Sequence, residues 1–513
     1  MNSKIRDIIF FAICSTVIFQ YIPALLQMNF IGGTVGDKLV FYPMFIGLVY
    51  TIICQIKYRN IFCDFKKFLI YIFFYLGVVL ISLVYGLYNF PYTEILLQGP
   101  ITQIEKLPKI LSLFTNMGIS IETTELIKIW MYARCIKSVF LEVLYNFFFS
   151  YIVFCWYRKD CHRAIDVLCK AIFFSLGIIF TYSSIEVLYL AGNEYATRIL
   201  KTMAPYLHKL GDNGFWWPPV LWKAQLRSVF AEPSHFGIYA AFCFPFLWLI
   251  MLKKEIKYRV VGITVLMSFL LFLTKARTGF LLHLGELFLM IVIVLCINYQ
   301  RFLKKLLIVL MCSILGFITA NLFIDTFMSS MNKEKIDLAN TTIKYVDSNA
   351  VSVINPDSRS NRARYSVLET DFKIGLDNPI LGVGSGLRSW YMPDYFSEKA
   401  KANSEVKMWL FFIEKFGGMK YTIPRLGEFA PRFAETGIMG LLVYMVLPIV
   451  LLWKLIKVII KDNDNLEAIS VFIAFCAMIA NGIFNGIGVY YWILLGIGFA
   501  MCDKNKIGGV CKH

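Results

Sequence analysis

The sequence predicts an all-α polytopic membrane protein of about twelve transmembrane helices, and three observations predict it. Apolar residues fill 58% of the 513 positions and charged residues only 17%, a balance foreign to a soluble multidomain chain. Apolar runs near bilayer-crossing length, about 17–25 residues, recur from end to end. Short clusters of Lys and Arg punctuate alternate runs, as cytoplasmic loops do.

The elements follow in order. A span near 8–26 follows Lys4 and Arg6 and lacks a small-residue cleavage site, so it reads as a retained first helix. Spans near 39–56 and 68–88 flank Lys57, Arg59, Lys66 and Lys67; those near 139–157 and 165–190 flank Arg158, Lys159 and Arg163. Spans near 236–252 and 258–274 meet at Lys253, Lys254, Lys257 and Arg259. After a short "TKAR" turn, spans near 278–297 and 303–325 flank Arg301, Lys304 and Lys305. A span near 434–460 ends at Lys454, Lys457 and Lys461, and spans near 466–481 and 484–501 lead to Lys504 and Lys506. Here "NGIFNG" is either a tight turn between two spans or a break within one tilted helix.

Both termini are therefore expected in the cytoplasm. The net charge of +17 is spread over the inside loops, where it serves as topology signal facing anionic membrane lipid, and no nucleic-acid partner is implied. Thirteen cysteines suggest a disulfide framework, but the count is odd and 191–235 and 326–433 contain none, so neither disulfides nor a metal cluster is expected.

The chain divides into a helical part with external loops at 89–138 and 191–235 (1–325), a large external loop (326–433), and a closing helical part (434–513). Within the large loop, "SRSNRARYSVLETDF" (358–372) reads as a helix, "DNPILGVGSG" as turns, and "EVKMWLFFIEKFGG" (405–418) as an interfacial helix, being apolar in its body, charged at its ends and too short to span.

"RSVFAEPSHFG" (227–237) places Arg227, Glu232 and His235 just outside the sixth span, and Arg277 sits in the turn after the seventh, at the same level. Arginines at span ends often only snorkel to headgroups. Positive residues are less expected on this face, however, and ionisable groups at the membrane mark function by default. Pro233 favours a helix start just after Glu232; Glu232 is then either an anion at a helix N-terminus or a general base at a partly dry site. Arg362 and Arg364, with Arg277, suit a diphosphate, whose oxygens a guanidinium fork binds in pairs. Arg359 reads as part of a solvated face, "GVGSG" (382–386) as an ordinary turn, and His283 as a packing residue. "DND" (462–464) lies in a short cytoplasmic loop and is set aside.

In their order and placement, "RSVFAEPSHFG", "LTKARTG", "NPILGVGSG" with its upstream arginines, and "FAETGIMGLL" resemble the O-antigen polymerase (Wzy-type) family and the related O-antigen ligases, over roughly residues 220 to 460. The resemblance implies a GT-C-like membrane glycosyltransferase in the bacterial cytoplasmic membrane. It would join oligosaccharide units carried on undecaprenyl diphosphate, on the outer face, without nucleotide sugar or metal and with no cofactor. By the same likeness, Arg227 and Glu232 match the Arg and Glu-Pro-Ser element, Arg277 the Arg-Thr element, Arg362 or Arg364 the arginine before the Asn-Pro turn, and Glu435 the last acidic residue. Ligases carry a histidine roughly two helical turns before that acid; "IPRLGEFAPRFAE" has none, which tilts the expectation to a polymerase, with Arg425, Glu428 and Arg432 as local substitutes.

In the expected mechanism Glu232 accepts a hydroxyl proton, Arg227 orients it, and Arg277 with Arg362 or Arg364 stabilises the leaving diphosphate. Alternatives are a ligase acting on another acceptor and a lipid-linked oligosaccharide flippase, though a flippase would distribute charge through its spans. A chain-length regulator is left open as a partner.

Overall fold

The structure, a computed structural model, describes residues 2–28, 35–58, 66–210, 218–253, 258–296, 300–328, 342–343, 345–347 and 359–507. Among them the only β contact is an isolated bridge between Gln20 and Lys38, and all else that is regular is helical.

The first half comprises α1 (Ser3–Thr16), α2 (Phe41–Tyr58), α3 (Lys66–Tyr88), α4 (Thr93–Gln98), α5 (Leu107–Asn116), α6 (Thr123–Glu142), α7 (Phe149–Tyr157), α8 (Cys161–Leu190) and α9 (Glu194–Leu207). Next come α10 (Pro233–Lys253), α11 (Tyr258–Leu273), α12 (Arg277–Cys296) and α13 (Gln300–Phe323). The large loop holds α14 (Arg359–Asp377), α15 (Arg388–Tyr395), α16 (Glu398–Lys401) and α17 (Ser404–Phe416). The chain closes with α18 (Phe429–Lys461), α19 (Leu466–Phe484) and α20 (Val489–Ile507).

Among the described residues, eight helices are long and apolar enough to cross a membrane, and α2, α11 and α20 are shorter apolar helices. Their outward faces carry exposed Ile70, Phe73 and Ile81 on α3, Phe288 on α12, and Leu442 and Trp453 on α18, the surface that lipid solvates and water would not. The protein is an integral membrane protein.

Three expectations are refined. The first apolar run does not form a span over 8–26. After Thr16 the backbone leaves the helix because its polar groups pair elsewhere: Leu39 N–H donates to the Phe19 carbonyl, Ile22 N–H to Asp37 and Lys209 N–H to Tyr21, which itself has φ 55. The expected span at 139–157 is the second part of a continuous helix from Thr123 to Tyr157, interrupted by a π-helical turn over Val143–Phe148. "NGIFNG" is a turn, since α19 and α20 are separate helices.

The expected helix at 358–372 is α14; Ser358 lies outside the described residues, as does the side chain of Arg359. The expected helix at 405–418 is α17, capped by the Asn403 side chain. It buries Val406 in a small core with Val367, Ile374, Met392 and Phe396, while Met408 and Phe411 stay exposed. Cys14, Cys135 and the other described cysteines are free thiols.

The interior is organised around α10, 83% of whose apolar window is buried. It packs on α11, α12 and α19. Gly237 of α10 and Gly279 of α12 cross so closely that a Cβ on Gly237 would lie 2.6 Å from the Gly279 Cα. Because both helices start within a few residues of this crossing, their N-termini meet at the loop-bearing end of the bundle. A Gly237→Ala variant is expected to lose about 1–3 kcal/mol through overpacking. Thermal unfolding in detergent should show a lower midpoint for it than for Gly262→Ala, where a Cβ meets open space.

Candidate functional site

The α10 end of the site is set by the segment before it. Glu186 of α8 accepts hydrogen bonds from the backbone N–H groups of Arg227 (3.0 Å) and Ser228 (2.6 Å), fixing the loop that delivers Glu232 to the helix start. Arg227 is 1% exposed, and its guanidinium donates to the Pro219 and Val220 carbonyls at 2.8 and 2.9 Å. The structure thus brings the Arg227 donors to the loop backbone and to Tyr182, while the positive charge felt at Glu232 is that of Arg364. Burial lowers the Arg227 pKa.

Glu232 is half-buried. Burial raises its carboxyl above the ordinary range, opposed by the positive charge of Arg364 and a hydrogen bond with Ser234. His235 places Nε2 3.8 Å from Glu232 Oε2, and its ring stacks on Tyr21. At the neighbouring helix start, Arg277 donates to Asn361 Oδ1 of α14 at 3.0 Å. Arg364, farther along α14, donates to the Phe484 carbonyl and Asn485 Oδ1, both at 3.0 Å. Arg362 is half-buried on the first turns of the same helix. The first two turns of α14 thus bridge the α12 start and the α19–α20 turn, with Glu232 in electrostatic reach. Two helix N-termini at one place add a positive field.

A second cluster adjoins it. Arg432 donates to Glu428 Oε1 at 2.6 Å, to Tyr75 of α3 and to Glu142 of α6, and lies over the Tyr444 ring. Arg425 donates to Glu435 Oε2 at 3.3 Å and lies 3.7 Å from Glu428. Burial opposes charge on Glu428, yet Arg432 and Arg425 hold its carboxyl below the ordinary value. Arg425, half-buried, is pushed up by Glu428 and Glu435 against the effect of burial. Glu428 Oε2 in turn accepts from Ile487 N–H (3.3 Å), so the α19–α20 turn contacts both clusters.

The "GVGSG" turn docks on this cluster and not around an anion. Val383 and Gly384 N–H donate to the Ala434 and Glu435 carbonyls at 2.9 Å, and Gly386 N–H to Glu435 Oε1 at 3.3 Å. The fit requires α18 to kink at Gly437 (φ 61), where a Cβ would lie 2.2 Å from the Ile380 carbonyl oxygen.

Sequence reasoning missed Glu142, Tyr75, Glu186 and the buried pair of Asp371 with Arg388 (2.8 Å). Burial pushes Asp371 up to about 7 against the pull of Arg388. Nothing local in the sequence marks these residues; the π-helical turn beside Glu142, a feature that often accompanies function, is visible only in the structure. His283 accepts or donates one bond with Ser313 Oγ (3.0 Å), as a packing residue does. Among the described residues no group of three or more His, Cys, Asp or Glu is arranged to hold a metal ion.

These features define a class: an integral membrane protein whose polar centre gathers arginines and carboxylates at one end of the helical bundle. Residues 262–410, which include Arg277, Arg362 and Arg364, match the family described as O-antigen ligase, a match that supports the O-antigen ligase/polymerase superfamily and a glycosyl-transferring kind of enzyme. No curated protein matches the chain.

Removing the Arg432 cation leaves Glu428 and Glu142 without their shared partner. Arg432→Ala is expected to cost about 3–5 kcal/mol, and Arg277→Ala, at a half-buried site, only about 1 kcal/mol. Thermal unfolding of the two purified variants checks the difference.

Proposed function

We propose that this protein is a polymerase that joins undecaprenyl-diphosphate-linked oligosaccharide units into O-antigen or a related surface polysaccharide, with the loop-bearing end on the outer face of the bacterial cytoplasmic membrane. The observation that supports this best is the seating of α14: it sets Asn361 against Arg277 and brings the Arg364 charge to Glu232.

A hydroxyl of the acceptor unit attacks the anomeric carbon of the lipid-linked donor. The new glycosidic bond forms as the bond to diphosphate breaks, and the electron pair leaves on the diphosphate. Glu232 takes the hydroxyl proton; burial raises its pKa above the ordinary carboxylate value, which strengthens it as a base. Arg277 and Arg364, with Arg362 beside them and the N-termini of α10 and α12, stabilise the leaving charge. Neither nucleotide sugar nor metal takes part in this reading. A ligase reading shares the donor, but the Arg425–Arg432 segment before Glu435 has no histidine of the kind expected of ligases.

The test is reconstitution with lipid-linked repeat units as sole substrate, in EDTA, with products resolved on a gel. A ladder of multiples supports polymerisation; product only after a lipid A core is added supports a ligase. Arg277→Ala and Glu232→Gln are each expected to lower the rate about hundredfold or more, and a normal ladder from either removes that residue from the mechanism.

The pH profile gives a sharper check. A base must be deprotonated, so the rate falls as pH drops through the Glu232 pKa, which burial sets above the ordinary carboxylate value. Arg364 lowers that pKa, so Arg364→Ala should raise it and move the acid limb of the profile to higher pH. An unmoved limb rules out Glu232 as its source.

A further inference from the structure

Outside the two clusters, the loop region contains a cavity of about 400 Å³ between α4, α15 and α17, within the range of about 300–1,000 Å³ typical of ligand clefts. Its walls include the rings of Tyr92 and Trp390 and the polar groups of Gln98, Ser389, Asp394 and Glu414, and no basic side chain among the described residues lines it.

The aromatic walls are held in place. Trp390 lies flat against Gly418, where a Cβ would come within 2.7 Å of the indole, and Phe90 meets it edge-on at 5.7 Å. Tyr92 donates its hydroxyl to Asp394 Oδ2 at 2.8 Å and packs edge-on against Tyr391. The cavity also adjoins the reactive end of the molecule. Ser389 Oγ accepts from Ile423 N–H (2.8 Å), and Arg388 donates to the Pro424 carbonyl (3.0 Å), one residue before Arg425.

We infer that this cavity is a saccharide subsite that holds neutral or amine-bearing sugars of the glycan beyond the reacting residue. Flat rings suit the C–H faces of a pyranose, and Gln98, Asp394 and Glu414 suit its hydroxyls. Two carboxylates without a cation repel uronate or phosphate and favour a neutral or aminated ring. The polyprenyl tail does not fit, because it would desolvate both carboxylates without bonding them. The inference rests on the polymerase reading for the glycan's origin, but not for its binding.

The test uses full-length protein in detergent and the oligosaccharide freed by mild acid from the producing cell's own lipid-linked units, titrated by calorimetry. The wild type is expected to bind it, Trp390→Ala to weaken binding about tenfold or more, and Arg277→Ala to leave it unchanged. Tyr92→Phe, which keeps the ring but releases Asp394, gives a milder loss and serves if Trp390→Ala fails to fold. Carboxyl reduction of the glycan should not weaken binding. Absence of wild-type binding, binding indifferent to both cavity variants, or binding lost on carboxyl reduction overturns the inference. A missing ladder in reconstitution with cavity-dependent binding intact overturns the polymerase reading alone; a ladder without cavity-dependent binding overturns this one alone.

Discussion

Arg432 is the contact on which the loop-bearing end depends. A cation at 5% exposure persists in such a place only when its donors are taken up and its charge is balanced. Its three nitrogens reach Glu428, Tyr75 and Glu142, so one side chain ties α3, α6 and α18 together. Its face is closed by Tyr444. The cost of dehydrating these charges is offset by the number of bonds they share, and the result is a fixed platform where apolar helices alone would leave none.

From that platform the order passes outward by short steps. Glu428 accepts from Ile487 in the α19–α20 turn, and the same turn accepts Arg364 through Phe484 and Asn485. Arg364 is carried by α14, whose Asn361 accepts from Arg277. The crossing of Gly237 and Gly279 meanwhile brings the starts of α10 and α12 together. The position of Glu232 relative to the arginines is thus set from two sides: by a backbone crossing free of side chains and by a chain of hydrogen bonds.

Much of this was legible in the sequence, for identifiable reasons. Apolar runs and basic clusters act locally, so α3, α8, α10 and α18 could be read directly. The level shared by Arg227, Glu232, His235 and Arg277 followed from where spans end, whereas Arg362 and Arg364 in the large loop were joined to it by their charge and by the resemblance. What could not be read depends on partners distant in the chain. α1 stops at Thr16 because residues 37, 39 and 209 compete for or supply the next hydrogen bonds, and no local signal announces them. Glu142 and Tyr75 look like ordinary span residues until Arg432 is placed between them. Arg227 reads as chemical from its neighbours in sequence, whereas its guanidinium bonds the Pro219 and Val220 carbonyls and Tyr182.

That last contrast separates the arginines by physical function. Arg227, Arg388 and Arg432 are between 1% and 5% exposed, each engaged with carbonyls or carboxylates of its own chain, and a substrate phosphate could reach them only by displacing bonds that the fold requires. Arg277, Arg362 and Arg364 are half-buried, on or next to helix starts, where backbone N–H groups also point. Arg425 stands between the two kinds, with a third of its side chain exposed while it spans Glu428 and Glu435. In the proposed reaction an incoming diphosphate would therefore meet the half-buried set first, and the buried set would hold that encounter geometry fixed. The short motifs record both kinds of arginine together, because a site built from separated helices needs its supports as strictly as its reactive groups.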